Sequence, residues 1–477
     1  MRISRRAFSA VSVTGLALAG VCRLAAANGG AVSWRNEVLG YGPLKTDPAG
    51  FFDLPEAFSY RVLSRAGEEM ADGLVVPDKF DGMGCIPLGD GKLALVRNHE
   101  LKHGAQRLGP AGNDPARIAK LSAMPFYGRD SAGSVLPGGT TTLIYDPASG
   151  TVERQFLSLA GTSTNCAGGV TPWGSWLSCE ETVIAAPEVE KSHGWVFEVP
   201  ASATAAVVPQ PLKAMGRFRH EAVAIDPVTG IAYLTEDRED GLFYRFIPDV
   251  PGSLAVGGRL QALALGKGLR DTRNHGGAPL IAGEPIAVHW IDLQDVESPR
   301  DDLRARGHAA GAALFARGEG IHLGVRDGRS ELYFTCTSGG AMRLGQIFRH
   351  VPANEPASAP ASAPASPPAS PPASNGGTLE LFVESSDASL LDYGDNLTVA
   401  PNGHLIVCED RADGKINHLR GVTPGGKLYT LARLNADTEL AGACFSPDGK
   451  ILFVNAYAPG RTLAITGPWN AVSEIPV

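Results

Sequence analysis

The stretch "TGIAYLTEDR" (229–238) opens on a turn, runs through a short apolar strand from Ile231 to Leu234 and closes on Glu236, Asp237 and Arg238. Thr-Gly marks the turn, and Ile, Tyr and Leu suit a pleated, buried surface. The same sentence is written again in "DGKLALVRNHE" (90–100), "WGSWLSCEE" (173–181), "GRSELYFTCTSGG" (328–340), "NGHLIVCEDR" (402–411) and "DGKILFVNAY" (448–457). Turns such as "DPASG", "DPVTG", "APNG" and "SPDG" stand before or between these strands. Six such units with little helical periodicity between them predict an all-β chain folded as a six-bladed β-propeller. A β-sandwich would not supply six copies of one strand type.

Bulk composition agrees with that reading. The 58 Gly and 35 Pro among 477 residues call for many tight turns and short strands. A net charge of −8, with no Lys/Arg run beyond the N-terminus, argues against a nucleic-acid partner, which needs concentrated basic surface. Residues 28–477 are expected to form a single propeller domain. "VPANEPASAPASAPASPPASPPASNGG" (351–377) is a Pro/Ala/Ser-rich insertion with the composition of a disordered, solvated segment, expected at a hairpin tip between "GQIFRH" and "LELFVE".

The first 27 residues read as an address. "MRISRRAFSA" is basic, "VSVTGLALAGV" is too short to span a bilayer, and "AAANGG" offers a small-residue cleavage site near Ala27. Ser4-Arg5-Arg6-Ala7-Phe8 fits the twin-arginine pattern, so residues 1–27 are predicted to be a Tat-type signal peptide. The partner is then the Tat export machinery and the location periplasmic or secreted, with no stable membrane anchor and a monomeric mature chain. "AGVC" is a poor lipobox because Val21 fills a small-residue place. Tat export is often used where a cofactor is loaded before export.

If the quoted strands are the innermost of each blade, their ends converge on the propeller axis. Those ends carry Glu100, Glu180 with Glu181, Glu236 with Asp237, and Glu409 with Asp410; Glu221 and Glu319 add two more acids. Carboxylates gathered round one axis repel unless cations sit among them. All-oxygen positions suit Ca²⁺, while a thiolate such as Cys179 suits a transition metal. The bland alternative for Cys179 is a small buried residue, as Cys336 and Cys408 at the same register would be. Arg97, Arg217, Arg219, Arg238, Arg317 and Arg411 flank the acids, as partners to them or as a fork for an anionic substrate. The sequence shows no Walker loop, nucleophile elbow or paired-Cys zinc motif.

Six stretches then carry a resemblance: "RNHE" (97–100), "NCAGGVTPWGSWLSCEET" (165–182), "HGWVFEV" (193–199), "GRFRHEAVAIDPVTGIAYLTED" (216–237), "LYFTCTSGGA" (332–341) and "DNLTVAPNGHLIVCED" (395–410). In order and over most of the chain, they resemble the PhoX family of bacterial alkaline phosphatases. The resemblance implies a six-bladed propeller with an Fe³⁺/Ca²⁺ cluster in its central channel and hydrolysis of small phosphate esters. It makes Cys179 the iron thiolate, with Cys166 as second candidate, and makes Glu100, Glu180, Glu221, Glu236, Glu319 and Glu409 metal carboxylates. Glu181 and Asp237 rank below their neighbours because adjacent strand residues face opposite ways. Arg238 and Arg411 are the implied catalytic phosphate clamp. The alternatives are a calcium propeller hydrolysing other esters or phosphodiesters, and a non-catalytic binding module held together by calcium.

Overall fold

The protein is described by a computed structural model over residues 34–276, 280–353, 376–411, 414 and 416–477. The signal segment 1–27 and most of the Pro/Ala/Ser insertion lie outside the described residues. The strands flanking the insertion, Gln346–Val351 and Thr378–Glu384, pair antiparallel with each other.

The architecture is all-β and propeller-like, made of consecutive antiparallel meanders. Their first strands are Phe80–Pro87, Asn165–Val170, His220–Ile225, Gly318–Arg326, Gly394–Val399 and Leu440–Phe445. Each lies beside the next, and the last lies beside the first, so these strands close a ring. Backbones approach closely at the ring: a Cβ on Gly169 would overlap the Val223 carbonyl, and one on Gly442 the Asp81 carbonyl. Only glycine lets neighbouring strands come this near.

The recurring strand recognised in the sequence is the second of each meander. Ser175–Glu180 sits between Asn165–Val170 and Val196–Pro200, and Ala232–Glu236 between His220–Ile225 and Phe243–Pro248. The strands lining the axis are the ones before it, which corrects the expectation that "WGSWLSCEE" is innermost. The final meander, Leu440–Phe445, Ile451–Ala456 and Arg461–Thr466, is completed by Ser59–Arg65 from near the start of the described chain. That pairing fastens the two ends of the ring together. Apolar side chains fill the spaces between adjacent sheets, for example Phe243, Phe315, Phe334 and Phe348, which are all buried.

One irregularity repeats. In every meander the pairing of first and second strands slips by one residue near the start of the first strand. Phe80 faces His99 but Met83 faces Arg97; His220 faces Glu236 but Val223 faces Leu234; Gly318 faces Cys336 but Ile321 faces Phe334. Equivalent slips occur at Asn165, Gly394 and Ala441. Each is a β-bulge, a device that re-aims a side chain at a sheet end.

Candidate metal centre at the ring axis

The bulged positions hold Asp81, Cys166, Glu221, Glu319 and Asp395, with Gly442 in the last meander, where Glu439 stands just before the strand. A second tier comes from the residue that follows five of the six second strands, namely Glu100, Glu181, Asp237, Asp410 and Tyr457, with Thr337 at the sixth. First and second strands run in opposite directions, so both tiers lie at the same end of the ring.

Ligand-capable atoms of Cys166, Glu181 and Glu221 all lie within 4.8 Å of one another, as do those of Glu221, Glu319 and Asp395. Glu221 belongs to both groups. The Cys166 thiol lies 3.4 Å from Asp81 Oδ2 and 3.3 Å from Glu221 Oε1, with one S–H to donate to either. The Tyr457 hydroxyl donates to Glu100 Oε2. Arg317 forks onto Asp237, with Nε–Oδ1 at 2.8 Å and Nη2–Oδ2 at 3.1 Å, and its Nη2 also reaches Glu319 at 2.7 Å. Lys102 Nζ lies 3.5 Å from Glu100 Oε1, and Arg219 Nη1 3.6 Å from Glu181 Oε1.

Nine carboxyl groups (Asp81, Glu100, Glu181, Glu221, Asp237, Glu319, Asp395, Asp410, Glu439) thus face three touching cations among the described residues, Lys102, Arg219 and Arg317. Without further positive charge the acids resist ionisation. Burial, then Glu319, raises Glu221 well above the carboxylate range, and burial, then Asp237, does the same to Glu319 and Glu181. Burial with Glu100 raises Asp81, burial with Asp410 raises Glu439, and burial followed by Asp410 pushes Asp395 up to about 8. The Cys166 thiol is raised by burial and then by Asp81 and Glu221. Asp81 Oδ1, Glu221 Oε2 and Asp410 Oδ1 are buried with no hydrogen-bond partner among the described residues. Buried oxygens without donors, set among like charges, are the signature of a site built for cations.

Of the sequence-derived candidates, the ring brings together Glu100, Glu221 and Glu319, and with them the lower-ranked Cys166, Glu181 and Asp237. It does not bring Cys179, Glu180, Glu236 or Glu409: the three carboxylates each stand one residue before an axial acid, and Cys179 two residues before Glu181. Each of those carboxylates ends a second strand and faces the blade interior. Glu180 accepts from the backbone N–H of Ser163, Gly194 and Trp195 and bonds His193 Nδ1 at 2.6 Å. Glu236 accepts from Leu242 N–H and from the Tyr244 hydroxyl at 2.7 Å. Glu409 accepts from Arg420 Nε at 2.7 Å and from the N–H groups of Asp392 and His418. All three tie down the segment after the second strand. Cys179 is fully buried against Leu177, Val196 and Phe218, with its thiol pushed up by burial and then by Glu180. Arg238 pairs with Asp301 at 2.8 Å, and Arg411 reaches Asp392 at 3.2 Å.

Sequence reading passed over Asp81, Asp395 and Glu439 as axial residues. A signal for two of them was present: "FDGMG", "NCAGG", "HEAVA", "GEGIH" and "GDNLT" share an acid or thiol followed by a small residue or Asn at the first strand's second place.

A propeller-like ring that collects buried acids and one thiol at its axis defines a cation-binding enzyme or binding protein. The comparisons narrow that class. The family pattern described as "Alkaline phosphatase PhoX" matches residues 39–460. The chain therefore belongs to the alkaline phosphatase PhoX family and is a phosphoric monoester hydrolase. Among solved structures, the Pseudomonas fluorescens PhoX in complex with vanadate, a transition state analogue, superposes with a TM-score of 0.64 at 17% identity, covering 91% of this chain and 98% of that one. A Xanthomonas campestris gluconolactonase reaches a TM-score of only 0.41 at 12% identity, covering 90% of this chain and 98% of that one. No curated protein matches the sequence.

Proposed function

We propose that the chain is a six-bladed propeller whose axial acids and thiol hold iron and calcium, and that it is exported by the Tat route to release phosphate from small organic esters in the periplasm or outside the cell. The observation that carries this reading is the recurrence of one bulge at the start of every first strand. It turns Asp81, Cys166, Glu221, Glu319 and Asp395 toward one another and leaves buried oxygens without donors.

The two overlapping groups differ in chemistry. Cys166, Glu181 and Glu221 mix a thiol with carboxylates and suit Fe³⁺; Glu221, Glu319 and Asp395 offer oxygen alone and suit Ca²⁺. When bound, such cations supply Lewis acidity to the phosphoryl oxygens of an ester. The chain's own residues prepare that site. Arg317, gripped by Asp237 and Glu319, holds both carboxylates and keeps a guanidinium beside the acids, where phosphoryl charge would be met. We assign it the clamp role that the sequence suggested for Arg238 and Arg411. The Tyr457 hydroxyl fixes Glu100 by binding its Oε2. Thr235 and Thr335 stitch the first strands together through the carbonyls of Glu319 and Asp395. Glu221 and Glu319 are themselves buried at the floor of the site.

Metal content measured together with p-nitrophenyl phosphate turnover tests the reading. Iron and calcium accompanied by turnover is expected. Calcium without iron would defeat the mixed site, and metals without turnover would favour the binding-module alternative.

A further inference from the structure

Beside the metal centre, a cleft of about 190 Å³ opens between Lys102 and Arg219, with Ser163, Thr164 and Thr182 on its walls. Glu181 is the one member of the axial acids that lines it. Each cation rests against the outer oxygen of an axial carboxylate, Lys102 on Glu100 and Arg219 on Glu181. Both side chains remain substantially open to solvent, at 73% and 40% exposure, so neither is consumed by its acid. Arg219 Nε is nonetheless buried and has no acceptor among the described residues.

The wall is also strained. Thr164 is a β-branched residue at φ 53°, in the left-handed region that such side chains avoid. It is held there by its N–H donating to the Leu101 carbonyl at 3.0 Å and its carbonyl accepting from Glu181 N–H at 2.8 Å. Strain of this kind persists where surrounding contacts over-determine it, and it collects at functional sites. Here it joins the segment carrying Cys166 to the residues flanking Lys102 and Glu181. It also turns the Thr164 and Ser163 hydroxyls, 3.3 Å apart, to the same place.

Resting on the phosphatase reading above, we propose that this cleft receives the leaving group of the ester, and that Lys102 and Arg219 select small leaving groups bearing a second anion. The transferred phosphoryl group belongs over the axial acids and Arg317. A substrate placed there projects its alcohol across Glu181 into the cleft. The lining offers two cations, three hydroxyls, Ile184 and the His103 imidazole, so the positive charge of Lys102 and Arg219 is its distinguishing chemistry. A carboxylate on the alcohol gains charge-assisted hydrogen bonds from Lys102 and Arg219 that a neutral polyol does not.

The test compares kcat/KM for 3-phosphoglycerate and glycerol 3-phosphate in the metal-loaded protein, with p-nitrophenyl phosphate as the aromatic ester. The wild type is expected to prefer 3-phosphoglycerate. In Lys102→Met and in Arg219→Gln, the ratio of the two aliphatic esters should fall about tenfold, the worth of one charge-assisted hydrogen bond. Two variants in separate loops, Lys102 after Leu93–His99 and Arg219 before His220–Ile225, guard against a folding defect in either. An unchanged ratio in both variants, with kcat/KM lowered equally for all esters, would overturn the proposal by placing the cations on the phosphoryl group instead. Absence of turnover of every ester by the wild type would overturn the phosphatase reading itself.

Discussion

Removing the cations should destabilise this protein far more than it would a chain whose metals sit on its surface. Ligand atoms within Glu221, Glu319 and Asp395 lie within 4.8 Å of one another. At that separation and an effective dielectric of about 20, each pair of ionised carboxylates repels by at least about 3.5 kcal/mol, so the three pairs together reach about 10 kcal/mol. That is comparable with the whole stability of an ordinary domain, about 5–15 kcal/mol. Proton uptake and side-chain movement relieve part of it, leaving several kcal/mol. With an unfolding entropy of about 2 cal/mol/K per residue over a chain this long, each kcal/mol lowers Tm by about 1 °C. Extensive dialysis against a strong chelator at neutral pH should therefore lower Tm by about 5–10 °C in calorimetry, and added calcium should restore part of it. An unchanged Tm in protein shown by elemental analysis to have lost its metals would refute the charge argument.

Other perturbations separate axial residues from those that merely brace the blades. Cys166→Ser should abolish iron binding measured by elemental analysis, whereas Cys179→Ala should retain iron and activity and cost only about 1–2 kcal/mol of packing in urea unfolding. Glu409→Gln leaves Arg420 buried beside a neutral group, and a loss of about 3–5 kcal/mol in stability is expected without loss of the metals. Tyr457→Phe should weaken calcium affinity measured by titration of the apo protein, since Glu100 loses its fixed partner. Asp47, far from the axis, tests pH dependence. Burial would raise its carboxyl, but the Tyr60 hydroxyl and the N–H groups of Phe52, Ala49 and Phe51 hold it down to about 2 from an ordinary 3.8. A depressed value stabilises the fold above the unfolded range and is lost as pH falls toward 2. Asp47→Asn should thus cost about 1–2 kcal/mol at pH 7, allowing for solvent screening, and the deficit should shrink markedly by pH 3.

Much of the architecture was legible because it rests on local chemistry. Turn residues before "IAYLTE", "LIVCE" and "ILFVNA" mark repeated strands whichever blade they join, and the motif stretches indicate the family without reference to contacts. The acids at strand ends were legible too, as a population. What local pattern could not say is which strand of a meander lines the axis, since inner and second strands are both buried along most of their length.

The sequence by itself determined an all-β repeat, the acids and thiols to be gathered, and the family that gathers them. Only the tertiary structure decided which of each adjacent pair faces the axis. In Glu180-Glu181, Glu236-Asp237 and Glu409-Asp410 the second member turns inward and the first braces its blade. The reason is the period of a strand. Successive residues face opposite sides, so an error of one residue exchanges the two roles. The bulge that aims Asp81, Cys166, Glu221, Glu319 and Asp395 is an extra residue in one strand relative to its partner. It exists only once two strands are paired, and so belongs to the fold and not to any single stretch of chain.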